Sequence, residues 1–220
     1  MSNTEFPSDI DLTESEVENL NKGKQLKPSP KGTVYCFVVA DATNKVSDNT
    51  ASLMTEYTMH PLRKDGDPDS KDTSYKQKDW LVWPIENKGP VDPETGKRKV
   101  IINPKTGKPH EAPATGGLTA SKLHALLGDS VVKSSPRKSK GSKSMLIDGQ
   151  PVSNEAADLR QLEVNKQVVG ELRKMTKEGP SHHVGMVFYA EVEISEENGN
   201  SQLKNFAPSC PPDKIVFTDF

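Results

Sequence analysis

Six aromatic residues lie in or beside three short apolar stretches in the first 85 positions of the chain. They are Tyr35, Phe37, Tyr57, Tyr75, Trp80 and Trp83. A flat aromatic ring can stack on a nucleic-acid base, and each stacked base contributes about 1–3 kcal/mol. The same residue types also fill hydrophobic cores, so burial is the competing interpretation for each of them.

Lys and Arg residues are interleaved with these aromatic residues, and they could contact the phosphates of a nucleic acid whose bases stack on the rings. The ones closest in sequence are Arg63, Lys64, Lys71, Lys76 and Lys78. Lys and Arg side chains neutralise phosphates along a nucleic-acid backbone. Five aspartates share this stretch, so a solvated charged loop is the alternative: Asp65, Asp67, Asp69, Asp72 and Asp79. A second basic run, Lys133 to Lys143, contains no acid, and within it Arg137–Lys140 is either an electrostatic arm or a solubilising linker.

Motifs that carry enzymatic chemistry are absent from the sequence. It has no GxxxxGK[ST], GxSxG or HExxH pattern, and we expect a protein that is not an enzyme and needs no cofactor. His182 and His183 are adjacent, and on a strand they point to opposite faces, so we expect no metal site. Asp65, Asp67 and Asp69 resemble the start of a calcium loop, but Pro68 interrupts it and a turn is favoured.

Composition predicts a modest core with long loops. Hydrophobic residues make up 32% of the 220, and the chain has 17 Pro and 15 Gly. The net charge is −2, with an acidic stretch from Glu5 to Glu18 that contains no base. Two cysteines give no disulfide framework, and we expect neither a secretion signal nor a membrane span. A reducing cytoplasm is the expected compartment.

Apolar periodicity predicts five strands and two helices. The strands are Thr33–Ala40, Ala51–Met59, Lys78–Trp83, Gly185–Ile194 and Gln202–Ala207; the helices are Thr119–Leu127 and a longer one between Asn154 and Gly179. Alternation along the third strand puts Trp80 and Trp83 on opposite faces, one in the core and one exposed. In the longer helix, the predicted core-facing residues are Leu159, Leu162, Val169, Leu172 and Met175.

This order predicts a mainly β fold: an OB-fold-like β-barrel with two helices inserted between strands 3 and 4, long loops and disordered tails. The predicted domain spans residues 31–212. It carries two insertions, a loop or hairpin at 85–117 and a Lys/Ser linker at 133–150. An acidic flexible segment, 1–30, precedes it, and a C-terminal tip, 213–220, follows it.

Three passages resemble phage-encoded OB-fold single-stranded DNA-binding proteins. They are the first strand continuing into Leu53–Tyr57; Asp79–Trp83 with the later Leu123–Leu127; and Val184–Ile194 followed by Glu197–Asn200 and Lys204–Pro208. The resemblance covers about half the chain. It implies sequence-independent binding of single-stranded DNA during phage replication or recombination, in the host cytoplasm.

The resemblance also draws attention to the termini, because such proteins often end in an acidic tail closed by an aromatic residue that recruits partners. This chain ends in Asp219 and Phe220. The terminal phenylalanine fits this pattern, but the residues before it do not form an acidic tail. Replication or recombination proteins are the expected partners, through this tip or the acidic N-terminal segment, and an oligomer is left open. The alternatives are a protein-interaction or virion-associated β domain and, least favoured, a metal-dependent nuclease using the Asp-rich loop.

Overall fold

The computed structural model describes residues 25–139, 144–197 and 199–218. The acidic stretch Glu5–Glu18, Asp219 and Phe220 lie outside these ranges. Within them the helices and strands follow in this order: β1 Val34–Val46, β2 Leu53–Pro61, β3 Gln77–Val82, α1 Gly116–Leu127, β4 Arg137–Lys138, β5 Met145–Ile147, β6 Gln150–Val152, α2 Asn154–Glu178, β7 Val187–Ile194, β8 Ser201–Ala207 and β9 Ile215–Val216. No helix in the described ranges is long and apolar enough to cross a bilayer.

The main sheet has the strand order β3-β2-β1-β7-β8, with every one of these pairs antiparallel. The short strand β9 adds to β1 in parallel, and β4, β5 and β6 form a separate small sheet. The main sheet curls into half a barrel. The predicted mainly β class with two helices is therefore confirmed, and both helices lie between the third and fourth strands of the main sheet in sequence.

Strand β1 is longer than the sequence pattern predicted. The sequence pattern ended this strand at Ala40, but residues Asp41 to Val46 continue the ladder with β2 as far as the pair Val46 and Leu53. The register shifts between Val39 and Asp41, which is a β-bulge. Such a bulge bends a strand and increases its twist, so it helps the sheet to curl.

The core fills the concave side of the curled sheet, where the two helices cover it. Phe37 of β1 stacks on Phe188 of β7 at 5.6 Å, and Phe188 stacks on Phe206 of β8 at 6.0 Å. Helix α1 contributes Leu123 and Leu126 to the same cluster. Aromatic pairs at these distances add about 0.5–1.5 kcal/mol each beyond the area that they bury.

Helix α2 buries a different face from the predicted one. Leu172 and Met175 are in the core as expected, but Leu159, Leu162 and Val169 are 63%, 52% and 41% exposed. The core face consists of Ala157, Val164, Val168, Leu172 and Met175. The helix carries two apolar stripes, and the sheet covers only one of them.

The folded unit extends beyond both predicted domain boundaries. Leu26 is 3% exposed within the core, and the Ser29 amide donates to the Val192 carbonyl at 2.8 Å. At the other end, the Thr218 hydroxyl donates to Asp72 Oδ2 at 3.1 Å. Residues 25–30 and 213–218 therefore belong to the same unit as the sheet.

Both predicted insertions contain ordered structure. In 133–150, which was expected to be a disordered linker, Arg137 and Lys138 pair with β5, although residues 140–143 lie outside the described ranges. In 85–117, two motifs of similar sequence, Asp92–Lys97 and Asn103–Lys108, each form the same kind of turn. Asp92 Oδ1 accepts from the Glu94 amide, and Asn103 Oδ1 accepts from the Lys105 amide, both at 2.9 Å. Asp and Asn favour such turns because their side chains replace a backbone acceptor.

Candidate functional site

The convex face of β2 and β3 carries the one exposed tryptophan of the described chain. Trp80 is 44% exposed and lies opposite Glu56 in the antiparallel register. The residues that precede and follow Glu56 and Trp80 in sequence point towards the core, because side chains alternate along a strand. We call the outward group formed by Lys45, Glu56, Lys78 and Trp80 the β2–β3 platform.

Glu56 is the residue that organises this platform. Its carboxylate accepts from Trp80 Nε1 at 3.1 Å, from Lys45 Nζ at 2.7 Å and from Lys78 Nζ at 3.2 Å. Partial burial opposes ionisation, but these three hydrogen bonds outweigh it and hold the pKa of Glu56 below its usual range. The carboxylate thus orients the indole and keeps both lysines beside it. Its negative charge also neutralises part of the positive charge of these lysines.

A buried ion pair between Lys122 and Asp79 holds the backbone at Trp80 in place. Lys122 of α1 donates to Asp79 Oδ2 at 2.5 Å and to the Trp80 carbonyl at 2.8 Å. Its Nζ also lies 5.0 Å from the ring centre of Phe206. Burial of Asp79 raises the pKa of its carboxyl despite this lysine. The pair fixes the backbone from which the indole projects.

Most of the aromatic residues expected to stack on bases are core residues. Tyr35, Phe37, Tyr57 and Trp83 are each 6% exposed or less. The prediction that they bind DNA by stacking is corrected, since a buried ring has no face open to a base. Trp83 instead donates its indole N–H to Thr55 Oγ1 at 3.0 Å. The predicted split between the two tryptophans is confirmed, with Trp80 exposed.

Tyr75 and the predicted cations occupy the region around the β2–β3 connection. Tyr75 is half-buried against the core, and Lys64 and Lys76 are exposed. Arg63 forms an ion pair with Asp72 at 3.2 Å. Only Lys78 of the predicted cations belongs to the platform.

The aspartates of this connection do not converge on a common point. Asp65 accepts from the Tyr189 hydroxyl at 2.6 Å, while Asp67 caps a short 3-10 turn through the Asp69 amide at 3.1 Å. Among the described residues, the group of side chains that could hold a metal ion lies elsewhere. The turn interpretation of these aspartates therefore fits the geometry better than a nuclease site.

A basic arm, residues 86–111, packs against the turn between β1 and β2. It follows β3 and contains six Lys and Arg residues against four Asp and Glu residues. His110 fixes it to the body: Nδ1 accepts from the Asn87 amide at 3.1 Å, so Nε2 carries the proton and donates to Ser52 Oγ at 3.2 Å. Asn87 also donates to the Ala51 carbonyl at 2.9 Å. The arm is thus held against the β1–β2 turn, with a cleft of about 280 Å³ along Lys88, Arg98 and Lys99.

Sequence analysis missed three residues that organise the site: Lys45, Glu56 and His110. Lys45 lies beyond the predicted end of the first strand, although it belongs to the extended β1. Alternation along β2 is a signal that could have placed Glu56 on the outer face, but pairing it with Trp80 needs the strand register. His110 had no local signal, because its partners are 23 and 58 residues away in sequence.

No protein-family model matches this chain, and no curated protein matches it either.

Proposed function

We propose that this protein binds single-stranded DNA without base specificity, with Trp80 as the stacking surface and Lys45 and Lys78 as phosphate contacts. The observation that carries the proposal is an exposed indole, held rigidly by Glu56 and flanked by two lysines. Stacking surfaces combined with cations are the usual means of binding single strands, since every base has a flat face and every nucleotide a phosphate.

The strand order supports an OB-fold interpretation of the half-barrel. An OB-fold is a five-stranded barrel in which the first strand pairs with the second and fourth, as β1 pairs here with β2 and β7. Gln77 of β3 donates to the Ser201 carbonyl of β8 at 3.1 Å, across the gap where such a barrel closes. OB-folds bind oligonucleotides on the face of strands 2 and 3 and on the adjoining loops. Trp80 lies on that face, and the basic arm lies beside the first of those loops.

The biological setting rests on the resemblance to phage proteins. It favours a role on transient single strands during phage replication or recombination, in the host cytoplasm. Replication or recombination proteins would be recruited through Asp219 and Phe220 or through the acidic N-terminal stretch, all outside the described ranges. No enzymatic step is part of this proposal.

The test uses the fluorescence of Trp80 alone. In a Trp83→Phe variant, Trp80 is the remaining indole, because the chain has two tryptophans. Oligo-dT added at low salt is expected to quench it, and added salt is expected to reverse the quenching, because phosphate contacts release counterions. Trp80→Ala in the otherwise natural chain is expected to weaken binding about 5- to 150-fold, the equivalent of one stacked base.

The matched control is Lys204→Ala, which removes an exposed lysine of β8 that pairs with Glu193. It should leave oligo-dT affinity close to that of the natural chain. The proposal is wrong if oligo-dT neither quenches Trp80 nor changes the anisotropy of a labelled strand at low salt.

A protein-interaction domain is the second candidate, and the exposed stripe on α2 favours it. Leu159, Leu162 and Val169 form an exposed apolar row on one side of this helix. Exposed apolar patches on a monomer often mark protein contacts. Absent DNA binding together with a stable oligomer that Leu162→Glu dissociates would support this function over the first.

A further inference from the structure

Two histidines and a glutamate converge where α2 ends and β7 begins. Glu171 Oε1 lies 2.5 Å from His182 Nε2 and 3.1 Å from His183 Nε2. The side chains of Glu171 and His183 are 6% and 0% exposed, whereas that of His182 is 23% exposed. The three ligand atoms lie within 4.8 Å of one another. One side of the cluster is therefore open to solvent.

A turn rather than a strand brings the two imidazoles together. Gly179 and Pro180 end α2, and residues Ser181–His183 form a single 3-10 turn. The sequence argument against a metal site assumed a strand, on which neighbouring side chains point in opposite directions. In the turn, the two ring centres are 4.4 Å apart, and both Nε2 atoms face the same carboxylate. That argument is wrong for this pair.

A further hydrogen bond orients His183 from its other side. Its Nδ1 lies 2.8 Å from the hydroxyl of Tyr57, on β2. If Nε2 bound a metal, the neutral ring would carry its proton on Nδ1. The Nδ1–H group would then donate a hydrogen bond to the phenol oxygen. Metal-bound histidines usually have such a partner, which fixes the ring and its tautomer. Tyr57, which sequence analysis assigned to DNA binding, would hold this histidine in place.

We propose that Glu171, His182 and His183 bind one divalent transition-metal ion of the zinc class. Two imidazole nitrogens and one carboxylate oxygen suit zinc, whereas calcium and magnesium prefer oxygen ligands alone. Tetrahedral zinc ligands at about 2.0–2.2 Å from the ion are separated by about 3.4 Å. The present separations are 2.5 and 3.1 Å, so both must widen on binding, most of all the one to His182, whose partly exposed side chain can shift outward. Water takes the fourth position on the solvent side.

The ion would join three parts of the fold. Glu171 belongs to α2, the histidines belong to the turn before β7, and Tyr57 links the cluster to β2. Binding to the folded state alone raises its stability in proportion to the logarithm of the free ion concentration over Kd. The expected role is structural, and it is independent of the proposed DNA binding.

The experiment measures cobalt and zinc binding to the full chain after treatment with EDTA. Cobalt is expected to give visible absorption bands typical of a tetrahedral nitrogen–oxygen site, with one equivalent bound and displaced by zinc. Zinc is expected to raise the melting temperature, and magnesium is not. His182→Ala should weaken zinc binding at least about 10-fold. Because His182 is half-exposed, this variant is expected to fold, which circular dichroism would verify.

The matched control is His124→Ala, which removes a half-buried histidine that contacts the Val132 carbonyl in another part of the fold. It should bind zinc like the natural chain. Glu171→Gln, which keeps the shape of the side chain, is a second ligand variant with the same expected loss. The proposal is overturned if the natural chain binds no cobalt or zinc, or if both ligand variants bind as tightly as it does.

Discussion

Glu56 and Trp80 face each other across β2 and β3, and the indole Nε1 donates to Glu56 Oε2 at 3.1 Å. The same carboxylate binds Lys45 and Lys78. The hydrogen bond sets the angle of an exposed ring, and the ion pairs hold the lysines close to it. Glu56 therefore both builds the platform and opposes an incoming phosphate.

Glu56→Gln is expected to tighten the binding of single-stranded DNA. Glutamine still accepts the indole hydrogen bond, but the negative charge is lost and both lysines become available to phosphates. An ion pair with an exposed lysine contributes up to about 1 kcal/mol, or roughly fivefold in affinity. Fluorescence anisotropy with labelled oligo-dT at low salt measures it. An unchanged or lower affinity for a folded variant would contradict a role for the platform in DNA binding.

The two tryptophans are expected to differ in their access to a collisional quencher. Trp80 is 44% exposed and Trp83 is 5% exposed. Acrylamide should therefore quench Trp83→Phe, which retains Trp80, several times more steeply than Trp80→Phe. The measurement needs no DNA, so it tests the fold separately from the function. Equal slopes would contradict the assignment of the two rings to opposite faces of the sheet.

Lys122→Ala is expected to cost about 3–5 kcal/mol of unfolding free energy, because it leaves Asp79 buried without its partner. Lys204→Ala is the control, since its pair with Glu193 is exposed at the surface and contributes less than about 1 kcal/mol. Urea unfolding measures both. Replacing the buried pair together, Lys122→Met with Asp79→Leu, should recover part of the loss. Similar losses for Lys122→Ala and Lys204→Ala would contradict this account.

Asp72 is expected to make stability depend on acid pH. Burial opposes its ionisation, but hydrogen bonds from Ser74, Arg63 and Thr218 outweigh it and lower the pKa of Asp72 from 3.8 to about 2. A lowered folded-state pKa stabilises the fold above pH 4, and this contribution disappears as the pH falls from 4 to 2. The expected contribution is about 1–2 kcal/mol, because solvent screens the half-exposed Arg63.

Urea unfolding of the natural chain and of Asp72→Asn between pH 2 and pH 7 checks this expectation. The variant should be less stable at pH 7, and the difference should shrink towards pH 2. A constant difference at every pH would mean that the ionisation of Asp72 contributes nothing to stability.

His110→Ala is expected to release the basic arm without unfolding the sheet. The change leaves the Asn87 amide and the Ser52 hydroxyl without their partner, which costs about 1–3 kcal/mol locally. Local opening exposes the chain to proteases, so trypsin should cut faster within residues 97–108. Limited proteolysis with mass spectrometry measures the rate at each site. His124→Ala should leave those rates unchanged, and equal rates for the two variants would contradict the role of His110.

The fold class followed from local patterns, whereas the site did not. Alternation and β-branched runs located all five main strands, because each strand has one face in the core and shows this in its period. Four of them agree within two residues at each end, whereas β1 continues six residues past its predicted end. Alternation also separated Trp80 from Trp83. The same reasoning offered Tyr35, Phe37 and Tyr57 as rings that stack on bases, but all three are buried. Alternation cannot tell which face of a strand is turned to the core.

The sequence by itself determined where strands and helices form, since hydrophobic period, Pro, Gly and capping residues act over a few neighbouring positions. Only the tertiary structure decided which residues meet. Glu56 reaches Trp80 through the strand register, and His182 joins Glu171 because a turn folds back onto α2. It also decided that the Leu159 stripe of α2 stays exposed while the Val164 stripe is buried. Long-range packing chooses between two apolar faces that local sequence makes nearly equivalent.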